Sequence, residues 1–270
     1  VVRKEAVDIL ERKRIIYSAN SGMINLRKEI ANYLNRKYDL TYDPDSEVIA
    51  TVGGSEAIDL AIRAIVNPGD EVLVVEPSFV CYKPIVELMH GVAVPIPTKE
   101  ENKFKLTPEE LQAHITEKTK MLILPYPNNP TGGIMTREDL EKIAAVLRGT
   151  NILVLSDEIY SELTYGTKHC SIASIPDMWE RTIYVSGFSK AFAMTGWRLG
   201  YLCAPKPLAK QMLKIHQYAI MCAPTVSQYA AIVALQECDD EVRKMVDEYD
   251  ARRRIVVDGF NKMGLHCFNP

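Results

Sequence analysis

Apolar runs and turn chemistry alternate along this chain. Val1 to Arg14 mixes charge with Val2, Ala6, Val7, Ile9 and Leu10, and Ile24 to Tyr38 places Leu26, Ile30, Tyr33 and Leu34 at helical spacing. Between them, Tyr17-Ser18-Ala19-Asn20-Ser21-Gly22 reads as a turn. After the break at Asp43-Pro44-Asp45, Val48 to Val52 is a short apolar strand, and Gly53-Gly54-Ser55 opens a helix over Glu56 to Val66. Asn67-Pro68-Gly69-Asp70 stops that helix. Further strands are expected at 71–75, 91–96, 120–124, 152–155, 182–185 and 199–204. Helix starts are expected at Thr107-Pro108-Glu109-Glu110 and Thr136-Arg137-Glu138-Asp139, the second helix running to about Leu147. From Pro207 onward the pattern is wholly helical. The last helix, from Asp239 to about Met263, spans about 25 residues and about 37 Å.

Most of these strands are continuous apolar runs without polar alternation, so both of their faces are expected to be covered. That predicts an α/β fold: a mainly parallel sheet with helices on both faces. Residues 1–238 read as one large domain whose first 40 residues are helical. Residues 239–270 read as a long helix with the reach to bridge to a second domain. In such sheets ligands bind beyond the carboxyl ends of the strands.

Composition narrows the functional classes. The chain has 270 residues, 47% hydrophobic and 25% charged, with a net charge of −3. No basic stripe points to nucleic acid, and no apolar run is long enough to span a bilayer. The opening Val1-Val2-Arg3-Lys4-Glu5 does not read as a signal peptide. The six cysteines (81, 170, 203, 222, 238 and 267) include no C-x-x-C pair, so neither a zinc site nor a redox motif is expected. Free thiols in a cytoplasmic setting are the expectation.

The strand ends carry the candidate chemistry. Gly53, Gly54 and Ser55 are small enough for backbone N–H groups to approach an anion, although a tight turn into a helix accounts for them equally well. Phe79 follows the 71–75 strand, Asn129 the 120–124 strand, and Asp157, with Tyr160 three residues on, the 152–155 strand. Packing explains Phe79 taken alone, and a turn explains Asn129. An aspartate directly after Val154-Leu155-Ser156 is partly buried and must find a partner. After the 182–185 strand comes Ser189-Lys190, among Phe188, Phe192, Met194 and Trp197, with Arg198 eight residues later. A lysine desolvated by such neighbours is a neutral amine and a nucleophile; a snorkelling lysine at a strand end is the competing reading.

Together these residues describe one pocket: an anion cradle, an aromatic plate, an amide, a carboxylate with a phenol, and an amine. A flat, phosphorylated pyridine aldehyde, pyridoxal 5′-phosphate, fits them all. The chain resembles the class I/II, fold-type I, pyridoxal-phosphate-dependent aminotransferases of the aspartate and aromatic transaminase kind. The match rests on Tyr17 to Gly22, Gly53-Gly54-Ser55, Pro77-Ser78-Phe79, Asn129-Pro130-Thr131-Gly132, Asp157-Glu158-Ile159-Tyr160, Ser189-Lys190 and Gly196-Trp197-Arg198-Leu199-Gly200-Tyr201.

The resemblance implies amino-group transfer between an L-amino acid and a 2-oxo acid through a Schiff base on Lys190, as part of amino-acid metabolism. It implies that Asp157 pairs with the ring nitrogen, that Tyr160 and Asn129 donate to the ring hydroxyl oxygen, and that Phe79 stacks on the ring. Gly53, Gly54, Ser55, Ser189 and Arg198 are implied at the phosphate, and no metal is implied. Tyr17 is implied to reach the neighbouring subunit's site, hence a homodimer. Where many members have a phosphate-binding serine, this chain has Gly187, flanked by Ser186 and two residues later by Ser189. Family chains are longer at both ends, and the arginine that binds the substrate carboxylate lies beyond the position of Pro270. The chain is therefore expected to be a truncated large domain with weak turnover alone.

Three other readings compete. One is a pyridoxal-phosphate-dependent C–S β-lyase of the same fold. Another is a non-catalytic pyridoxal-phosphate-binding regulatory domain, for which no basic or helix-turn-helix segment is present. The third is a serine hydrolase, because Gly187-Phe188-Ser189-Lys190-Ala191 approximates a nucleophile elbow and His216 and His266 follow.

Overall fold

Two helices, α1 (Val2–Arg12) and α2 (Ile24–Tyr38), precede the first strand in a computed structural model that describes all 270 residues. There follow β1 (Val48–Thr51), α3 (Gly53–Ile65), β2 (Glu71–Glu76), α4 (Tyr82–Leu88) and β3 (Val92–Pro97). Next come α5 (Pro108–His114), β4 (Thr119–Leu124), α6 (Arg137–Leu147), β5 (Leu153–Asp157), β6 (Thr182–Gly187) and β7 (Gly200–Cys203). Three helices close the chain: α7 (Lys206–Ala219), α8 (Thr225–Glu237) and α9 (Asp239–Lys262). Both expected helix starts carry complete capping boxes, Thr107 with Glu110 and Thr136 with Asp139.

All seven strands form one sheet in the order β1-β7-β6-β5-β4-β2-β3. The β2–β3, β2–β4, β4–β5 and β5–β6 pairs are parallel, while β7 runs antiparallel to both neighbours. The register decides where the site lies. Thr51, at the end of β1, faces Gly200 at the start of β7, which also faces Gly187 at the end of β6. One edge of the sheet therefore collects the carboxyl ends of β1, β2, β4, β5 and β6 and the amino end of β7.

The continuous apolar runs have a direct cause. In β2, Val72 and Val74 pack with α3 and α7, whereas Leu73 and Val75 pack with α5 and α6 on the other face. In β4, Met121 and Ile123 divide from Leu122 and Leu124 in the same way. The middles of these two strands are buried on both faces, which is why they carry no polar alternation.

Several boundaries differ from expectation. The glycine turn is the first turn of α3 and not a loop before it. β5 extends to include Asp157, and β6 extends through Gly187. α1 ends at Arg12 because Lys13 is already extended, with φ −124° and ψ 146°. No expected element corresponds to α4; its Pro84 falls in the first helical turn, where its missing N–H costs nothing.

Candidate active site

A cleft of about 820 Å³, counting its open mouth, lies along that edge of the sheet. Of the residues singled out from sequence, Gly54, Ser55, Phe79, Asn129, Asp157 and Tyr160 line it, together with Ser189, Lys190 and Arg198. Gly53 stands just behind the wall. Tyr17 is not part of this cleft and is 79% exposed.

Asp157 forms the deep end. It is the last residue of β5 and is buried. The local sequence does not name its partner: the Tyr82 hydroxyl donates to Oδ2 at 2.7 Å, and the Ile159 N–H donates to Oδ1 at 3.2 Å. Burial pushes the Asp157 carboxyl above the usual carboxylate range, and these two donors pull it back only in part. The same burial, with Asp157 nearby, pushes the Cys81 thiol up to about 12. Tyr82 also packs edge-on against Phe79, with ring centroids 6.1 Å apart. Two aromatics three residues apart after a strand end are the available sequence signal for Tyr82.

The loop that carries Tyr160 is held from behind. Glu158 is buried and accepts from Ser156 Oγ at 2.7 Å and from Ser171 Oγ at 2.6 Å. Its other oxygen lies 2.6 Å from His169 Nε2. With its acceptor capacity used in this way, Glu158 turns inward while Asp157 and Tyr160 turn to the cleft.

At the other end stands the glycine turn. Gly53 has φ +77°, a conformation that strains any residue with a Cβ. A Cβ there would lie 2.5 Å from the Arg198 guanidinium, so the glycine leaves the room that Arg198 occupies. Arg198 itself has φ 49°, a strained value for a side-chain-bearing residue, and its Nη1 donates to the Thr195 carbonyl at 3.1 Å. Gly200 backs the turn from β7. A Cβ on Gly200 would meet Gly53 C at 2.5 Å and Gly54 N at 2.6 Å, both backbone atoms. We therefore expect Gly200→Ala to displace the turn and to lower the unfolding free energy by about 1–3 kcal/mol. Urea denaturation checks this against Gly196→Ala, where nothing lies within 4 Å.

The setting of Lys190 corrects an expectation. Phe188 and Met194 are buried in the core with Tyr201, and Phe192 and Trp197 pack against that cluster. They face away from the cleft, and Lys190 itself is exposed. The apolar neighbours fix the turn that presents the lysine but do not enclose its amine. Nζ lies 5.4 Å from the centre of the Tyr160 ring. The serine alternatives near Lys190 also separate. Ser186 is buried and donates to the Glu158 carbonyl at 3.4 Å, whereas Ser189 lines the cleft. Gly187 has no room for a side chain, because its Cβ would lie 2.9 Å from Gly200 Cα.

The hydrolase geometry does not assemble. No histidine lines the cleft. His216 is buried against Glu56, and His266 sits at the surface against Glu100.

The family model "Aminotransferase class I and II" matches residues 1–270. The chain is 42% identical over 272 residues to an aspartate aminotransferase of Pyrococcus abyssi, covering 100% of this chain and 70% of that protein. Among solved structures, an aromatic aminotransferase from Pyrococcus horikoshii superposes with a TM-score of 0.95 at 40% identity, covering 97% of this chain and 71% of that one. An N-succinyldiaminopimelate aminotransferase from Mycobacterium tuberculosis gives a TM-score of 0.95 at 32% identity, covering 99% and 71%.

Proposed function

The chain belongs to the class I and II aminotransferases, and on that premise we propose that it moves an amino group between an L-amino acid and a 2-oxo acid using pyridoxal 5′-phosphate held in this cleft. The observation that carries the reading is the arrangement of donors along one sheet edge. A buried carboxylate stands at one end, an arginine over a glycine turn at the other, and a lysine amine shares the cleft with them.

The donor set fits the cofactor chemically. Asp157 offers a carboxylate to a protonated ring nitrogen, and Tyr82 orients it. Phe79 offers an apolar ring face, and Asn129 and Tyr160 offer hydrogen-bond donors to the ring hydroxyl oxygen. Gly54, Ser55, Ser189 and Arg198 offer backbone, hydroxyl and guanidinium donors to a phosphate. Arg198 can do so in a bidentate fork that a lysine would not reproduce. When bound, the cofactor supplies an electron sink for charge developing at the substrate α-carbon. Lys190 is the covalent anchor and the base that moves the α-proton.

The relatives act on aspartate, aromatic and diaminopimelate-type substrates by name, so this reading stops at the reaction class. A homodimer is part of it. Ile15, Ile16 and Tyr17 are exposed beside Tyr218, Ile220 and Met221. Asn20 donates to the Met221 carbonyl, and Thr225 to that of Ile16, joining the two segments into one apolar surface. We also read α9, which buries only Val242 and Val257 along its 24 residues, as the element that leads into a second domain.

The test is a single-turnover assay. Protein loaded with pyridoxal phosphate is mixed with one amino acid, and then with a 2-oxo acid. We expect one equivalent of the first 2-oxo product per cofactor, and return of the amino group to the second acid. Release of ammonia and pyruvate from cystathionine, with no transfer to 2-oxoglutarate, would overturn the proposal in favour of a C–S lyase.

A further inference from the structure

Glu56 and His216 are 160 residues apart in the chain and meet directly behind the glycine turn. His216 lies in the last turn of α7 with its side chain fully buried, and its Nδ1 is 2.6 Å from Glu56 Oε1. Glu56 follows Gly53-Gly54-Ser55 on α3 and is itself mostly buried, with 11% of its side chain exposed. Its second oxygen accepts the backbone N–H of Val52, the residue between β1 and α3. His216 Nε2 is buried with no partner, so the ring is committed to Glu56 alone.

An acidic residue early in a helix is ordinarily a solvated partner of the helix dipole. This one instead spans two elements: it grips the backbone at the root of the turn with one oxygen and α7 with the other. The turn is also tied by Thr51 Oγ1, which donates to the Gly53 carbonyl at 2.9 Å, and is backed by Gly200. Neither Glu56 nor His216 lines the cleft. They can act on a ligand only through the turn.

We propose that Glu56 and His216 are positioning residues for the anion cradle. They hold the Gly53-Gly54-Ser55 turn so that its N–H groups and the Ser55 hydroxyl face the phosphate end of the cleft. The inference rests on the cofactor reading above and adds two residues to it. Donors aimed in advance bind an anion more tightly than donors that must be ordered on binding. A residue that only stabilised the fold would weaken all ligands of the cleft alike.

The test compares pyridoxal phosphate with pyridoxal, which lacks the phosphate. Dissociation constants for both are measured by absorbance titration on wild type, Glu56→Gln, His216→Leu and His216→Asn. Melting temperatures of the cofactor-free proteins are recorded alongside. The Glu56→Gln change keeps the side-chain volume but leaves one acceptor oxygen for two partners. The His216→Asn change places an amide N–H near the position of Nδ1. Glu56→Gln and His216→Leu are expected to weaken pyridoxal phosphate about tenfold while leaving pyridoxal within about twofold, and His216→Asn to recover most of the loss. Equal weakening of both ligands, or no change in either, overturns the proposal. Should His216→Leu not fold, the same comparison on Glu56→Gln and His216→Asn decides it. A wild-type chain that binds neither compound overturns the cofactor reading itself and this inference with it.

Discussion

Lys190→Ala will take up pyridoxal phosphate but will no longer hold it covalently. Borohydride reduction of the loaded wild type should fix one cofactor onto the peptide containing Lys190; the variant should show no added mass. The expectation is close to all-or-none because Lys190 is the sole lysine lining the cleft. No neighbouring amine can replace it. The rate of amino-group transfer should fall about 10⁴-fold, since anchor and proton carrier are lost together. The fold should be indifferent. Lys190 is exposed, and its turn is fixed by Phe188 and Met194 in the core. Its removal is therefore expected to change stability by no more than about 0.5 kcal/mol. A circular dichroism melt alongside the mass measurement separates loss of chemistry from loss of structure. Covalent fixation to any other residue in the variant would remove Lys190 from the role.

Asp157, Asn129, Phe79 and the glycine turn were legible as candidates for the cleft because a doubly buried strand announces itself as an apolar run, and the residues just after it stand at the open edge of the sheet. Thr107 and Thr136 were legible because a capping box is a local pattern. Lys190 reaches the cleft, but not in the setting its neighbours suggest. Sequence proximity to four large apolar residues points to a desolvated amine, yet in a tight turn successive side chains point in different directions. The apolar ones went to the core and the lysine to the cleft.

What stayed hidden was set by distance in the chain. Tyr82 reaches an aspartate 75 residues away, and His216 a glutamate 160 away. No periodicity within either segment encodes such a meeting. The antiparallel course of β7 was hidden for a related reason. Its run is as apolar as those of its parallel neighbours, because burial on both faces, and not strand direction, sets that pattern.

Asp157→Asn should cost the protein its cofactor chemistry while relieving the cofactor-free fold. The variant keeps an oxygen for the Tyr82 hydroxyl to donate to but carries no charge. The electrostatic partner of a protonated ring nitrogen is lost from a buried, water-poor position, where such a partner counts most. The single-turnover rate is expected to fall ~10²–10³-fold, and Tyr82→Phe, which leaves the charge but loosens its aim, by less. The pH dependence gives an independent check with a defined sign. Burial raises the Asp157 carboxyl above the usual carboxylate range in the free protein. A raised acid contributes stability at low pH that is lost as pH rises through its folded value. Above that raised value the wild type thus carries a buried charge that the asparagine variant does not. The difference in melting temperature, variant minus wild type, should therefore grow as pH rises through that value. Cofactor affinity should show the opposite trend. As pH falls through the raised value, Asp157 takes up a proton and wild-type affinity drops toward that of the variant, whose own profile corrects for titration of the cofactor. A wild-type affinity advantage that is constant across this range would mean that Asp157 does not face the ring nitrogen.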